Sequence, residues 1–187
     1  MYILFIKQIP NPHNMILKQA TELHEFLQIH QLNYKTFVEE IPQHHQNTEK
    51  MLVDKFHNKN KYIIAMKGRQ VIGMVCYNSD RPFSLDTKIP DLDQYFPHHS
   101  KLVEIRLLSV LHEERNTRVT YRLLQFLSQT LMQQNVDAAI ISGTTRQIRL
   151  YTRMGFTPFG PLVGNTGAFY QPMFITLRNL RHDFKSN

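Results

Sequence analysis

Leu102-Val103-Glu104-Ile105-Arg106-Leu107-Leu108-Ser109-Val110 is the stretch on which the fold turns. It is apolar enough for a buried strand, and it runs into a polar, arginine-rich turn, His112-Glu113-Glu114-Arg115-Asn116-Thr117-Arg118. Beyond the turn, Val119, Leu123, Leu124, Phe126, Leu127 and Leu131 recur at helical spacing, which predicts a helix over residues 117–134 with one face on a sheet. Asp137-Ala138-Ala139-Ile140-Ile141 reads as a core strand. Thr144 or Thr145 can then cap a helix that runs to Met154, with Gly155 at its left-handed C-terminal position. Strand, polar turn, helix, strand, helix is a way to hold a phosphate group at a helix N-terminus.

Upstream, residues 1–7 read as a first strand. Ile16, Leu17, Ala20, Leu23, Leu27 and Leu32 give residues 14–32 a helical rhythm. Residues 33–40 suit a second helix, with Tyr34, Phe37, Val38 and Ile41 inward and Pro42 as its stop. Asn47-Thr48 precede a short helix expected over residues 49–57. Residues 62–66 and 70–77 are strand-like, and Lys67-Gly68-Arg69 suits a tight antiparallel hairpin between them. Residues 78–100, rich in Pro and Asp, form a long connection of the kind that more often carries function than filler. Residues 170–177 make a final strand, with Pro172 favouring its beginning or an edge. The whole predicts one α/β domain over residues 1–187, its mixed, mostly antiparallel sheet flanked by helices.

The chain has 187 residues, 42% apolar and 20% charged, ordinary values for a water-soluble domain. It contains no apolar run of membrane-spanning length, and the start lacks the basic lead of a signal peptide. The lone Cys76 has no intramolecular partner, so a reducing, cytoplasmic setting and a buried structural thiol are expected. The net charge of +7 suits an anionic ligand. Nucleic acid is disfavoured because no basic-aromatic recognition motif is present. His44-His45 and His98-His99 lack a third well-spaced ligand, so no metal is expected.

Three groups can carry chemistry. Arg115, Arg118 and Arg122 surround one helix start, where they can grip phosphate or simply be a solvated face. Glu104 and Arg106 share one face of a strand by alternation. Two charges in an apolar strand need a wet cleft or each other. Glu104 can take a proton from an amine while Arg106 holds a carboxylate, or the two form a structural ion pair. Tyr151 can donate a phenolic proton, with a reference pKa of about 10, or pack under the sheet.

The order of these elements, with Leu150-Tyr151-Thr152-Arg153-Met154-Gly155-Phe156, resembles the GNAT superfamily of N-acyltransferases, which use acyl-CoA. The resemblance covers residues 62–177. It implies a GNAT-like fold, and a cofactor turn at Arg115-Asn116-Thr117-Arg118-Val119-Thr120, although Arg118 and Thr120 stand where the family has small residues. It further implies Tyr151 as the acid for the departing thiolate and Glu104 as the base. Thr144 stands where relatives carry the Asn that contacts the cofactor arm. A bulge in the strand, with an amide between Leu108 and Val110 facing the oxyanion, is implied as well.

Asn33-Tyr34-Lys35-Thr36-Phe37-Val38-Glu39-Glu40, Asp54-Lys55-Phe56-His57 and Val103-Glu104-Ile105 resemble a further branch, the acyl-homoserine-lactone and N-acyl amino acid synthases. Arg106 and Leu107 stand where that branch has Ser and Arg. The expectation is an acyl-CoA-dependent N-acyltransferase moving acetyl to a small amino-acid-like amine. The alternatives are a long-chain synthase, whose donor channel Met66, Met74, Phe83, Phe96 and Phe126 would line, and a non-catalytic GNAT-like binding domain.

Overall fold

The computed structural model describes residues 15–96, 100–165 and 168–177. The strand expected over residues 1–7 lies outside them. One eight-stranded sheet runs β1 (Met15–Gln19), β2 (Lys61–Lys67), β3 (Gln70–Asn78), β4 (Leu102–Val110), β5 (Ala138–Thr144), β8 (Ala168–Thr176), β6 (Thr157–Pro158), with β7 (Val163–Asn165) also on β8. Every pairing is antiparallel except β4 with β5. The fold is therefore the mixed, mostly antiparallel α/β class expected of a GNAT-like protein.

Helix α1 (Leu23–Tyr34) covers one face and α2 (Val119–Gln133) the other. Val119, Leu123, Leu127 and Leu131, spaced by four, form the buried stripe of α2. Gly73 admits this helix closely, because a Cβ there would lie 3.0 Å from both Leu123 and Val119. Leu123, fully buried, should cost about 2–5 kcal/mol on truncation to Ala. A third cluster sits beneath the 79–96 connection, where Phe83, Leu85, Ile89 and Leu92 pack with Ile140 and Phe159.

The hairpin forms as expected, with Gly68 at φ +58° in its turn. The region over residues 14–32 differs from expectation. Residues 15–19 are an edge strand on β2, and the helix starts only at Leu23. Its entry is closed by Glu25, whose Oε2 accepts from the amides of Thr21 and Glu22 at 2.9 and 3.1 Å. The expected second helix is a continuation of α1 that widens to a π-helix over Lys35–Glu40, with Ile41 N–H reaching back to Thr36. Tyr34 and Val38 are buried there, but Ile41 is 42% exposed.

No helix forms over residues 49–57; the segment is a series of turns. Asn47 bonds Met51 through both amide atoms, and Asp54 accepts from Phe56 N–H, so the local donors are drawn into turns. Pro172 lies in the middle of β8 rather than at its start. Its carbonyl accepts from Phe159 N–H, which places its missing N–H on the side where β6 pairing has ended and β7 pairing has not begun. Cys76 is free and fully buried, and burial pushes its thiol pKa up. No helix among the described residues is long and apolar enough to cross a membrane.

Candidate active site

The site begins where two strands part. β4 and β5 pair only through Leu102–Glu104 and Ala138–Ile140. Beyond that, β4 stays on β3 to Val110 and β5 stays on β8 to Thr144. The separation coincides with a bulge in β4. Cys76 faces Arg106 and Met74 faces Ser109, so Leu107 and Leu108 together oppose Val75 alone. Leu107 takes φ +50°, a conformation that costs a branched side chain roughly 1–3 kcal/mol. Leu108, next to it, is 37% exposed, between the half-buried residues 105–107 and the buried Ser109 and Val110. The bulge expected from the resemblance is present, and it opens a wedge between residues 105–110 and 141–144.

The arginine-rich turn stands at the end of β4. α2 starts at Val119, two residues later than the sequence predicts. Thr117 Oγ1 accepts from Val119 N–H at 3.3 Å, and Arg118, the residue before the helix, gives no side-chain cap. Asn116, Arg118 and Arg122 are exposed, and Thr120 is partly so. Arg115 is held differently: its Nε donates to the Val110 carbonyl at 3.0 Å and its Nη2 pairs with Glu40. Arg115 thus fixes the turn against the strand, while Arg118 and Arg122 stand exposed at the helix end.

On the far side of the wedge, Gly143 carries the Tyr151 ring. A Cβ at Gly143 would lie 2.9 Å from that ring, so only glycine lets the tyrosine lie so close to β5. Tyr151 belongs to the short α3 (Ile148–Arg153), and its hydroxyl donates to Gln147 Oε1 at 3.1 Å. Burial raises its pKa, with hydrogen bonds to Thr144 pulling the other way. The phenol stays protonated and lies beside Thr144 at the end of β5.

Glu104 is fully buried. Its carboxylate accepts from Ser84 N–H at 2.8 Å, Ser84 Oγ at 2.5 Å and Leu85 N–H at 3.2 Å. Arg106 Nε is 3.9 Å from it, a loose approach. The guanidinium fork is spent on Asp54, with Nη1 and Nη2 at 3.0 and 2.9 Å from the two carboxylate oxygens, and it stacks over Phe56 at 4.6 Å. Glu104 and Arg106 share a strand face as predicted, but each has its own partner. The roles of Asp54 and Ser84 as these partners are not legible in the sequence. Nothing local to either residue marks it, because both partners are distant in sequence.

The front-half motifs converge on the same strand. The Thr36 hydroxyl bonds Ser109 past the bulge, and Ser109 also donates to the Leu32 carbonyl. Asp54 docks its segment through Arg106. Beside them lie His30 and His57, with ring centres 4.8 Å apart, and His57 Nδ1 is 3.1 Å from the Tyr62 hydroxyl. Among the described residues no group of His, Cys, Asp and Glu is arranged to hold a metal.

A sheet opened beside a bulge, with a helix N-terminus at its end and a tyrosine on its far lip, is the arrangement that the resemblance to GNAT proteins implies. The family model for the N-acyl amino acid synthase FeeM matches residues 28–177. The chain belongs to that family, and it is an N-acyltransferase. No curated protein matches by sequence. Among solved structures, a CoA-dependent acyl-homoserine lactone synthase, BjaI, with SAM and isopentyl-CoA aligns at TM-score 0.75 and 19% identity, over 91% of this chain and 86% of that one. FeeM, an N-acyl amino acid synthase from uncultured soil microbes, aligns at 0.72 and 14%, over 90% and 94%. An acyl-CoA N-acyltransferase from Pseudomonas aeruginosa aligns at 0.60 and 15%, over 87% and 98%. At these identities the likeness is one of fold.

Proposed function

We propose that this enzyme transfers a short acyl group, acetyl in the simplest case, from acyl-CoA to the amine of a small amino-acid-like acceptor. The observation that carries the reading is the wedge between β4 and β5, with the turn that follows β4 leading to the α2 N-terminus, where Arg118 and Arg122 are exposed. A pantetheine arm can lie in the wedge as an extra strand, and its pyrophosphate can meet the helix end. Asn116, Thr117, Val119 and Thr120 supply that end, and Thr144 faces the arm from β5. An amide between Leu108 and Val110 meets the developing oxyanion.

The amine attacks the thioester carbonyl carbon, the carbon–sulfur bond breaks, and one proton is released overall. Glu104 removes the ammonium proton through Ser84, whose hydroxyl already donates to it. Tyr151 protonates the departing thiolate. Arg106 holds the Asp54 segment beside the acceptor. A short donor is favoured because the five residues expected to line a long channel fall into three packed clusters: Phe126 in one, Met66 and Met74 in another, Phe83 and Phe96 in the third.

The test is thiol release from acetyl-CoA and from acyl-CoAs of increasing length, with a panel of amino acids and amines, each product identified by mass. Acetyl transfer to an α-amine supports the reading. Transfer only from long chains supports the long-chain synthase instead. Thiol release that no amine stimulates removes the transferase reading of this site.

A further inference from the structure

With Arg106 committed to Asp54, the acceptor's anionic group needs another cation. The turn over residues 84–89 presents one. Its amides at Ser84 and Leu85 both bond the buried Glu104 carboxylate, and Lys88 and Ile89 N–H close back on the Leu85 carbonyl at 3.0 and 2.9 Å. Leu85 and Ile89 then pin the turn into the core against Ile140, the last residue of β5 paired with β4. Between these anchors Lys88 faces outward. Its ammonium lies 5.2 Å from the centre of the Tyr170 ring. Tyr170 stands opposite Thr144 at the far lip of the wedge. Lys88 therefore reaches from a turn fixed on β4 to the β5–β8 side, across the face where the two strands part.

Its surroundings are those of a binding cation. Desolvation lowers the Lys88 pKa; Glu104 opposes this, and Arg106 and Lys55 add to it, so all three charges are within electrostatic reach. No carboxylate among the described residues forms an ion pair with Lys88. Lys88 is exposed, and an ammonium with no ion-pair partner among the described residues is available to an incoming carboxylate.

We propose that Lys88 is the residue that holds the acceptor's carboxylate, and that Glu104 is a positioning residue for it through the Ser84–Leu85 turn. This rests on the acyl-transfer reading for its purpose, but it is a statement about binding.

Calorimetry on the CoA-loaded protein separates the two. The probes are the common amino acids and their carboxamides, with Lys88→Met and Lys88→Arg as variants. The expected result is that at least one amino acid binds the unaltered protein about tenfold more tightly than its amide. That preference should vanish in Lys88→Met, return in Lys88→Arg, and leave the amide's affinity unchanged. If no amino acid outbinds its amide, or if the preference survives Lys88→Met, the assignment is overturned. Turnover reports separately. Acetylation of amines with no acid–amide preference would keep the transferase and remove Lys88. A Lys88-dependent preference with no acyl transfer would keep the site and remove the reaction.

Discussion

Arg106 and Asp54 meet fork to fork across 52 positions of sequence, with nitrogen–oxygen distances of 3.0 and 2.9 Å and with Asp54 also bonded to Phe56 N–H and Asn60 Nδ2. The pair ties the turns of residues 51–60 to the strand that carries the bulge. Both side chains are largely buried, so neither can lose its partner cheaply.

Either single change, Arg106→Leu or Asp54→Asn, should therefore cost about 3–5 kcal/mol in urea unfolding. The double variant should cost clearly less than the sum, because no charge is then left alone. Strict additivity would show that the two do not interact energetically.

Tyr151→Phe should lower kcat at least tenfold while changing CoA affinity about twofold or less, since the phenol proton is needed only as the thiolate departs. Gly143→Ala should act the same way at a distance, because its Cβ would displace the Tyr151 ring. Full activity in both variants would make Tyr151 a packing residue.

Replacing Arg118 and Arg122 by Gln should weaken CoA roughly tenfold to a hundredfold, and leave pantetheine lacking its phosphates unaffected. Competitive displacement measures both. Equal loss for the two ligands would mean that these arginines do not read phosphate.

Glu104→Gln should lower the rate most where the acceptor amine is charged, and raising the pH should recover part of the loss as more amine becomes neutral. Ser84→Ala should share that profile if the hydroxyl relays the proton. A loss independent of pH, with altered acceptor binding, would leave Glu104 only its hold on the turn.

His30 supplies a stability test. It is 7% exposed, its Nδ1 has no hydrogen-bond partner among the described residues, and both burial and the neighbouring His57 lower its pKa. The unfolded chain then takes up its proton first, so stability should fall as pH drops below about 6.5. The fall should level off once the folded protein is protonated too. His30→Gln should flatten the melting temperature between pH values of about 7.5 and 5.5. An unchanged slope would place the acid sensitivity elsewhere.

The sequence alone determined the β4–α2–β5–α3 core, because apolar continuity and helical spacing are local signals, and each there has a long run to register in. The turn at Gly68 and the left-handed position of Gly155 were legible too, because both are local signals. Residues 15–19 are ambiguous in sequence because Ile16, Leu17 and Ala20 fit a helical period as well as a strand, and only pairing with β2 decides between them. The bulge at Leu107 has no local mark; two adjacent leucines fit a regular strand equally well, and the parting of β4 from β5 selects the strained form. The pairing of Asp54 with Arg106 and of Ser84 with Glu104 was decided by tertiary structure alone. A buried carboxylate or guanidinium must find partners wherever the fold brings them, and those partners lie 20 and 52 residues away along the chain.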